Sequence, residues 1–215
     1  MSIVSYQSHK ITIIYNVKCA QTSLYNVFGR PWNPLESDFF HDGLGISDTA
    51  PLSKHIEAYP DYYNVIFVRN TYARIVSMWS YSKQTALSRP APDPETPNFF
   101  PDFTEWCTAI YEDKDRKSSR WSACIPFSTF VDCFDRLDFI GHQESLSEDV
   151  KFIADKYDIK FTPLPRLNHS RYSGPYWPDY YNDETKSMIS EMYKEDIEMF
   201  DFKFISSCRV NCESD

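Results

Sequence analysis

Apolar residues along this chain fall into two kinds of run, and the two periods predict two kinds of element. Ile11-Thr12-Ile13-Ile14-Tyr15 and Asn64-Val65-Ile66-Phe67-Val68-Arg69 are nearly continuous. Short runs of this kind predict strands, here 11–17 and 64–69, covered on both faces. Tyr72, Ile75, Val76 and Trp79 recur at helical spacing and predict a helix over 71–86 with one apolar stripe. Helices are also expected at about 22–29, 51–59, 102–112 and 126–134, with a short strand at Leu137-Asp138-Phe139-Ile140-Gly141. Ser145-Leu146-Ser147-Glu148 has the form of a capping box opening a helix to about Tyr157. A last helix follows Asn182, with Ile189, Tyr193, Ile197 and Phe200 on one face. Three stretches break the pattern: a polar loop over 31–47, a segment with five prolines over 88–101, and a proline-, aromatic- and Asn-rich loop over 161–181.

Strand–helix alternation predicts an α/β fold, a single domain with a central, mainly parallel sheet flanked by helices. The domain is expected to run over 1–205, with a polar tail at 206–215. In such sheets ligands bind at the carboxyl ends of the strands. That rule gathers Lys18–Ser23 and Arg69–Tyr72 at one rim, provided the two apolar strands are neighbours.

Both turns suit an anion. After the first strand, the backbone N–H groups of residues 20–23 stand at a helix start, where unpaired donors and the helix dipole favour phosphate. Thr22 and Ser23 add hydroxyls, and Lys18 adds a positive charge. After the second, Arg69 offers a planar fork of donors suited to a phosphate dianion. Arg74 and Ser77 follow on the next helix. A single lysine at a strand end is ordinarily a solvated charge, Thr-Ser is ordinarily an N-cap, and surface arginines ordinarily pair with carboxylates. The pairing of two anion-suited turns is what points to a nucleotide with two separated phosphate groups. The ordinary triphosphate signature Gly-x-x-x-x-Gly-Lys-[Ser/Thr] is absent, as is Gly-x-Gly-x-x-Gly.

Composition limits the alternatives. With 215 residues, 42% hydrophobic and 17% aromatic, the chain can bury one sizeable core. A net charge of −9 argues against nucleic acid as the main partner. No signal peptide and no membrane span are recognised, so a cytoplasmic location is expected. The six cysteines (Cys19, Cys107, Cys124, Cys133, Cys208 and Cys212) form no CxxC pair and no zinc-ligand spacing with histidine, so reduced thiols and no metal are expected.

With these residues in hand, a resemblance is visible. Lys18-Cys19-Ala20-Gln21-Thr22-Ser23-Leu24 after a strand resembles the 5′-phosphosulfate loop of sulfotransferases. Val65-Ile66-Phe67-Val68-Arg69-Asn70-Thr71-Tyr72-Ala73-Arg74-Ile75-Val76-Ser77 resembles their 3′-phosphate motif. Phe139-Ile140-Gly141-His142-Gln143-Glu144-Ser145-Leu146, Leu164-Pro165-Arg166-Leu167-Asn168 and the segment from Tyr180 to Phe200 are similar to the downstream segments of the carbohydrate (Golgi-type, family 2-like) branch. The resemblance spans most of residues 11–204 and implies a sulfotransferase fold related to that of the P-loop NTPases. It implies transfer of a sulfuryl group from 3′-phosphoadenosine 5′-phosphosulfate to a hydroxyl or amine, with no metal. Carried over by position, Lys18, Cys19, Ala20, Gln21, Thr22 and Ser23 bind the 5′-phosphosulfate, Lys18 acting also as a catalytic residue. Arg69 and Ser77 bind the 3′-phosphate, and Arg171 adds a phosphate contact. Three positions depart from the pattern: Val17, Gln21 and Thr71 stand where proline, a small residue and proline are usual.

The acceptor must lose a proton, so a base is expected. His41, in the loop between the two motifs, leads, with Glu36, Asp42 and His169 as alternatives. His55 reads as a surface or capping residue and His142 as structural. The aromatic loops offer stacking surfaces, although most aromatics are expected in the core. The acidic balance favours a neutral or short glycan, a glycolipid or another hydroxyl acceptor over a long polyanion. Two other readings remain open: an inactive homologue serving as a nucleotide- or glycan-binding module, and a nucleotide kinase.

Overall fold

The computed structural model of the chain describes residues 2–6, 9–28, 39–40, 52–88, 102–113, 124–158, 161, 164 and 176–205. It divides into two compact units, residues 1–70 with 125–169 and residues 71–124 with 170–215.

The first unit is built on the apolar runs. β2 (Ile11–Tyr15) is buried at every position and β4 (Tyr63–Val68) at all but its first, as strands covered on both faces must be. They pair in parallel, Ile14 opposite Ile66, and β5 (Phe139–His142) extends the parallel sheet beyond β4. Gly141 lies opposite Phe67, and a Cβ there would stand 2.5 and 2.6 Å from atoms of the Phe67 ring. Only a residue without a side chain fits beneath that ring.

Alternation along the strands sends Ile11, Ile13, Tyr15, Val65 and Phe67 to one face. There they pack with Leu24, Tyr25 and Phe28 of α1 (Gln21–Phe28) and with Val150 and Ile153 of α5 (Leu146–Lys156). Thr12 points to the opposite face, where Ser5 bonds both its hydroxyl, at 3.0 Å, and Nε2 of His55 on α2 (Leu52–Ala58), at 3.0 Å. The α/β class, the parallel central strands and the flanking helices therefore agree with the expectation.

Several details differ. An antiparallel edge was not foreseen: β1 (Ser2–Tyr6) pairs with β2, and β3 (Phe39–Phe40) pairs with β1, giving the order β3-β1-β2-β4-β5. The helix expected at 126–134 is instead two single 3₁₀ turns, Phe127–Thr129 and Phe134–Arg136. Its Ser-Thr-Phe-Val-Asp-Cys sequence is poor in helix formers. Ser145 does begin α5, but no capping box forms. A 3₁₀ turn over Gln143–Ser145 precedes the helix, and the Ser145 hydroxyl donates to Asp149 at 2.8 Å instead. His55 is buried among these elements, contrary to the surface reading.

The second unit is helical. α3 (Thr71–Ser88) buries the expected stripe of Tyr72, Ile75, Val76 and Trp79 against α4 (Phe103–Glu112) and α6 (Asp183–Met192). Asp102 caps α4 by accepting from the N–H groups of Thr104 and Glu105 at 2.8 and 3.0 Å. Asn182 and Thr185 form a reciprocal capping box on α6. The single last helix expected from the sequence is two, because α6 stops at Met192 and α7 (Lys194–Met199) restarts after Tyr193. Trp79 and Trp106 are buried in this core, as most aromatics were expected to be.

Candidate functional site

β2 ends at Tyr15 and α1 begins at Gln21, so five residues make the first turn. Two of them, Lys18 and Ala20, hold left-handed backbone angles, φ 65° and 60°. Without glycine such angles cost roughly 1–2 kcal/mol per residue, so the surrounding bonds must hold the turn in place. The Cys19 N–H donates to the Asn16 carbonyl at 3.3 Å, and the Ser23 and Leu24 N–H groups both donate to the Ala20 carbonyl, at 2.8 and 3.0 Å. Asn16 reaches sideways from the turn, its Nδ2 donating to the Phe67 carbonyl on β4 at 3.3 Å.

These bonds sort the expected anion donors. The Ser23 N–H is engaged within the turn and its side chain is buried, whereas Thr22 is exposed. Cys19 is fully buried, with its N–H donating to Asn16 and its thiol 3.6 Å from the Val17 carbonyl, so it offers a ligand neither its N–H nor its sulfur. The Gln21 side chain turns along α1, where Nε2 donates to the Tyr25 hydroxyl at 2.5 Å.

The second turn follows β4. Arg69 Nη1 donates to the Lys18 carbonyl at 3.3 Å, and the Asn70 N–H donates to Glu144 Oε1 at 2.9 Å. The structure thus brings the two turns together at the carboxyl ends of neighbouring parallel strands, as required. Burial, and then the positive charge of Arg69, lower the Lys18 ammonium from its ordinary value to about 8. Two cations share one rim of the sheet, an arrangement that an anionic ligand relieves.

The other predicted residues belong to other elements or lie outside the described residues. Ser77 is half-buried on α3 in the second unit, one turn beyond Arg74. Arg74 is buried, with its guanidinium carbon 6.0 Å from the centre of the Tyr193 ring, which sets aside the ordinary alternative of a surface ion pair. His142 closes β5, and its N–H donates to Asp149 at 2.7 Å. His41, Arg171, Glu36, Asp42, His169, Cys208 and Cys212 lie outside the described residues.

Cys19, Cys107, Cys124 and Cys133 are buried. Among the described residues no cluster of three or more His, Cys, Asp or Glu is suited to a metal, and no helix is long and apolar enough to cross a membrane. Sequence reasoning missed the bracing roles of Asn16 and Glu144. Both act on backbone groups of a distant segment, and no local pattern announces such a bond.

The chain matches the family model described as the sulfotransferase family over residues 6–203. Neither the curated proteins nor the solved structures gave a match. The matched span begins at the last residue of β1 and takes in both turns and, among the described residues, β2 to β5 and α1 to α7. With its anion-suited turns at the ends of parallel strands and a family match over nearly its whole length, the chain belongs to the sulfotransferase family.

Proposed function

We propose that the two turns bind 3′-phosphoadenosine 5′-phosphosulfate and that the protein passes its sulfuryl group to a hydroxyl, or an amine, of a carbohydrate-type acceptor. The observation that carries this reading is the meeting of Arg69 with Lys18: a guanidinium bonded to the lysine's own carbonyl at 3.3 Å, with two positive charges at one sheet rim. Of the backbone N–H groups over residues 20–23, that of Ser23 is engaged within the turn, and those of residues 20–22, with the hydroxyls of Thr22 and Ser23, hold the 5′-phosphosulfate at the start of α1. Arg69 holds the 3′-phosphate. Ser77 and Arg171 are assigned to the phosphates by the sequence resemblance alone.

The chemistry is an in-line displacement at sulfur. The acceptor oxygen forms a bond to sulfur while the bond from sulfur to the phosphate oxygen breaks. The acceptor proton passes to a base, which we assign to His41, and the products are a sulfate ester and adenosine 3′,5′-bisphosphate. Positioning and charge stabilisation supply most of such a rate enhancement. Lys18 meets the negative charge that develops on the leaving phosphate, so its contribution grows toward the transition state. The net charge of −9 favours a neutral or short glycan or a glycolipid as acceptor.

Transfer of labelled sulfate from the donor to a panel of neutral glycans and glycolipids tests the reading. The expected result is a labelled sulfate ester, with Lys18→Ala lowering turnover more than donor affinity. Tight donor binding with no transfer to any member of the panel would instead favour an inactive binding module.

A further inference from the structure

A carboxylate stands beside the turn that the preceding reading assigns to a phosphate. Glu144 belongs to the 3₁₀ turn after β5, and its Oε1 accepts from the Asn70 N–H at 2.9 Å across 74 residues of sequence. Near an anion site a negative charge weakens ligand binding, so its presence there calls for a structural reason. The bond supplies one. Asn70 is buried where β4 gives way to α3, and an ionised acceptor bonds a backbone N–H about twice as strongly as a neutral one.

The bond is also one link of a chain. Glu144 holds the backbone of Asn70, the neighbouring Arg69 reaches the Lys18 carbonyl, and Lys18 begins the left-handed part of the first turn. The ends of β5, β4 and β2 are joined in that order. The anchor beneath Glu144 is itself braced, because Asp149 accepts both the His142 N–H and the Ser145 hydroxyl on either side of it.

We infer that Glu144 is a positioning residue for the donor site: it fixes the backbone after β4 so that Arg69 is presented to the 3′-phosphate. Glu144 touches no reacting atom. Its effect reaches the ligand through Arg69. This rests on the donor reading above, and it makes a demand that a general structural role does not. Removing Glu144 must damage recognition of the 3′-phosphate in particular.

The test is calorimetry with adenosine 3′,5′-bisphosphate and with adenosine 5′-monophosphate, which lacks the 3′ group. Wild type is expected to prefer the bisphosphate. Glu144→Ala is expected to lose roughly tenfold of that preference, the scale of one hydrogen bond to a charged group, while monophosphate affinity changes by less than about threefold. Glu144→Gln keeps an acceptor oxygen and is expected to recover most of the preference. Arg69→Ala with Glu144→Ala is expected to discriminate no worse than Arg69→Ala alone, as coupled residues do. If Glu144→Ala does not fold, Glu144→Asp takes its place, since shortening the reach by one methylene breaks the bond and retains the charge. A folded Glu144→Ala or Glu144→Asp protein with the full preference, or with both ligands weakened equally, overturns the positioning role. A wild type without the preference overturns the donor reading, and this inference with it.

Discussion

The lowered ammonium of Lys18 makes donor binding depend on pH, with a sign and a size that follow from its surroundings. Without ligand, Lys18 loses its proton near pH 8 because it is partly buried and faces Arg69. A bound phosphate restores the ordinary environment of an ion pair and moves the group back toward about 10.4 or above, the reference value for lysine. The bound form therefore holds the proton more tightly, and binding takes up protons at alkaline pH. Affinity is complete below pH 8 and is lost as pH rises through it. If the bound group stays protonated throughout, affinity for adenosine 3′,5′-bisphosphate falls about tenfold between pH 7 and pH 9. Phosphate itself titrates near pH 6 and adds little in this window. Calorimetry in two buffers of different ionisation enthalpy measures both the affinity and the proton uptake. Lys18→Met removes the titrating group, so its weaker binding should be flat from pH 7 to 9. A flat wild-type profile, or an equal slope in Lys18→Met, would refute the reasoning.

Three further outcomes are expected. Arg69→Ala should weaken bisphosphate binding by about 1.5–3 kcal/mol, the worth of hydrogen bonds to a charged group; a folded variant that binds normally in calorimetry would remove Arg69 from the site. Gly141→Ala places a methyl group 2.5 Å from Phe67 Cε1 and should destabilise the fold by about 1–3 kcal/mol, as overpacking does; an unchanged denaturation midpoint would contradict the tight contact. His41→Ala should keep donor binding and lose roughly 10²–10⁴-fold in turnover, together with an acidic limb near pH 6–7; turnover within about threefold of wild type on a true acceptor would pass the role to Glu36, Asp42 or His169.

The elements legible in the sequence were those whose own residues carry the reason for them. β2 and β4 are apolar because both of their faces are covered, and α3 shows a stripe because Tyr72, Ile75, Val76 and Trp79 pack into the core. β1 escaped because Ser2-Ile3-Val4-Ser5-Tyr6 is short and half polar. Its Ser5 is acceptable in the interior only because Thr12 and His55 supply partners from other elements. The same missing strand explains why His55 looked like a surface residue. Ser145 and Glu148 had the residue types of a capping box, but Ser145 sits at φ −113°, ψ 24° and bonds Asp149. Composition does not encode that backbone geometry. At the rim, residue type together with the pairing of two turns singled out Lys18, Thr22, Ser23 and Arg69 as candidates, since anion chemistry has few carriers. The left-handed Lys18 and Ala20 and the bracing by Asn16 and Glu144 come from long-range bonds, which a single chain of letters does not display.

The central claim is that the rim formed by Lys18 and Arg69 is built for a nucleotide carrying phosphates at both its 3′ and 5′ positions. Calorimetry of the wild-type protein with adenosine 3′,5′-bisphosphate beside ATP tests it most directly. The account predicts a clear preference for the bisphosphate at neutral pH. Equal affinity, or a preference for ATP, would contradict it.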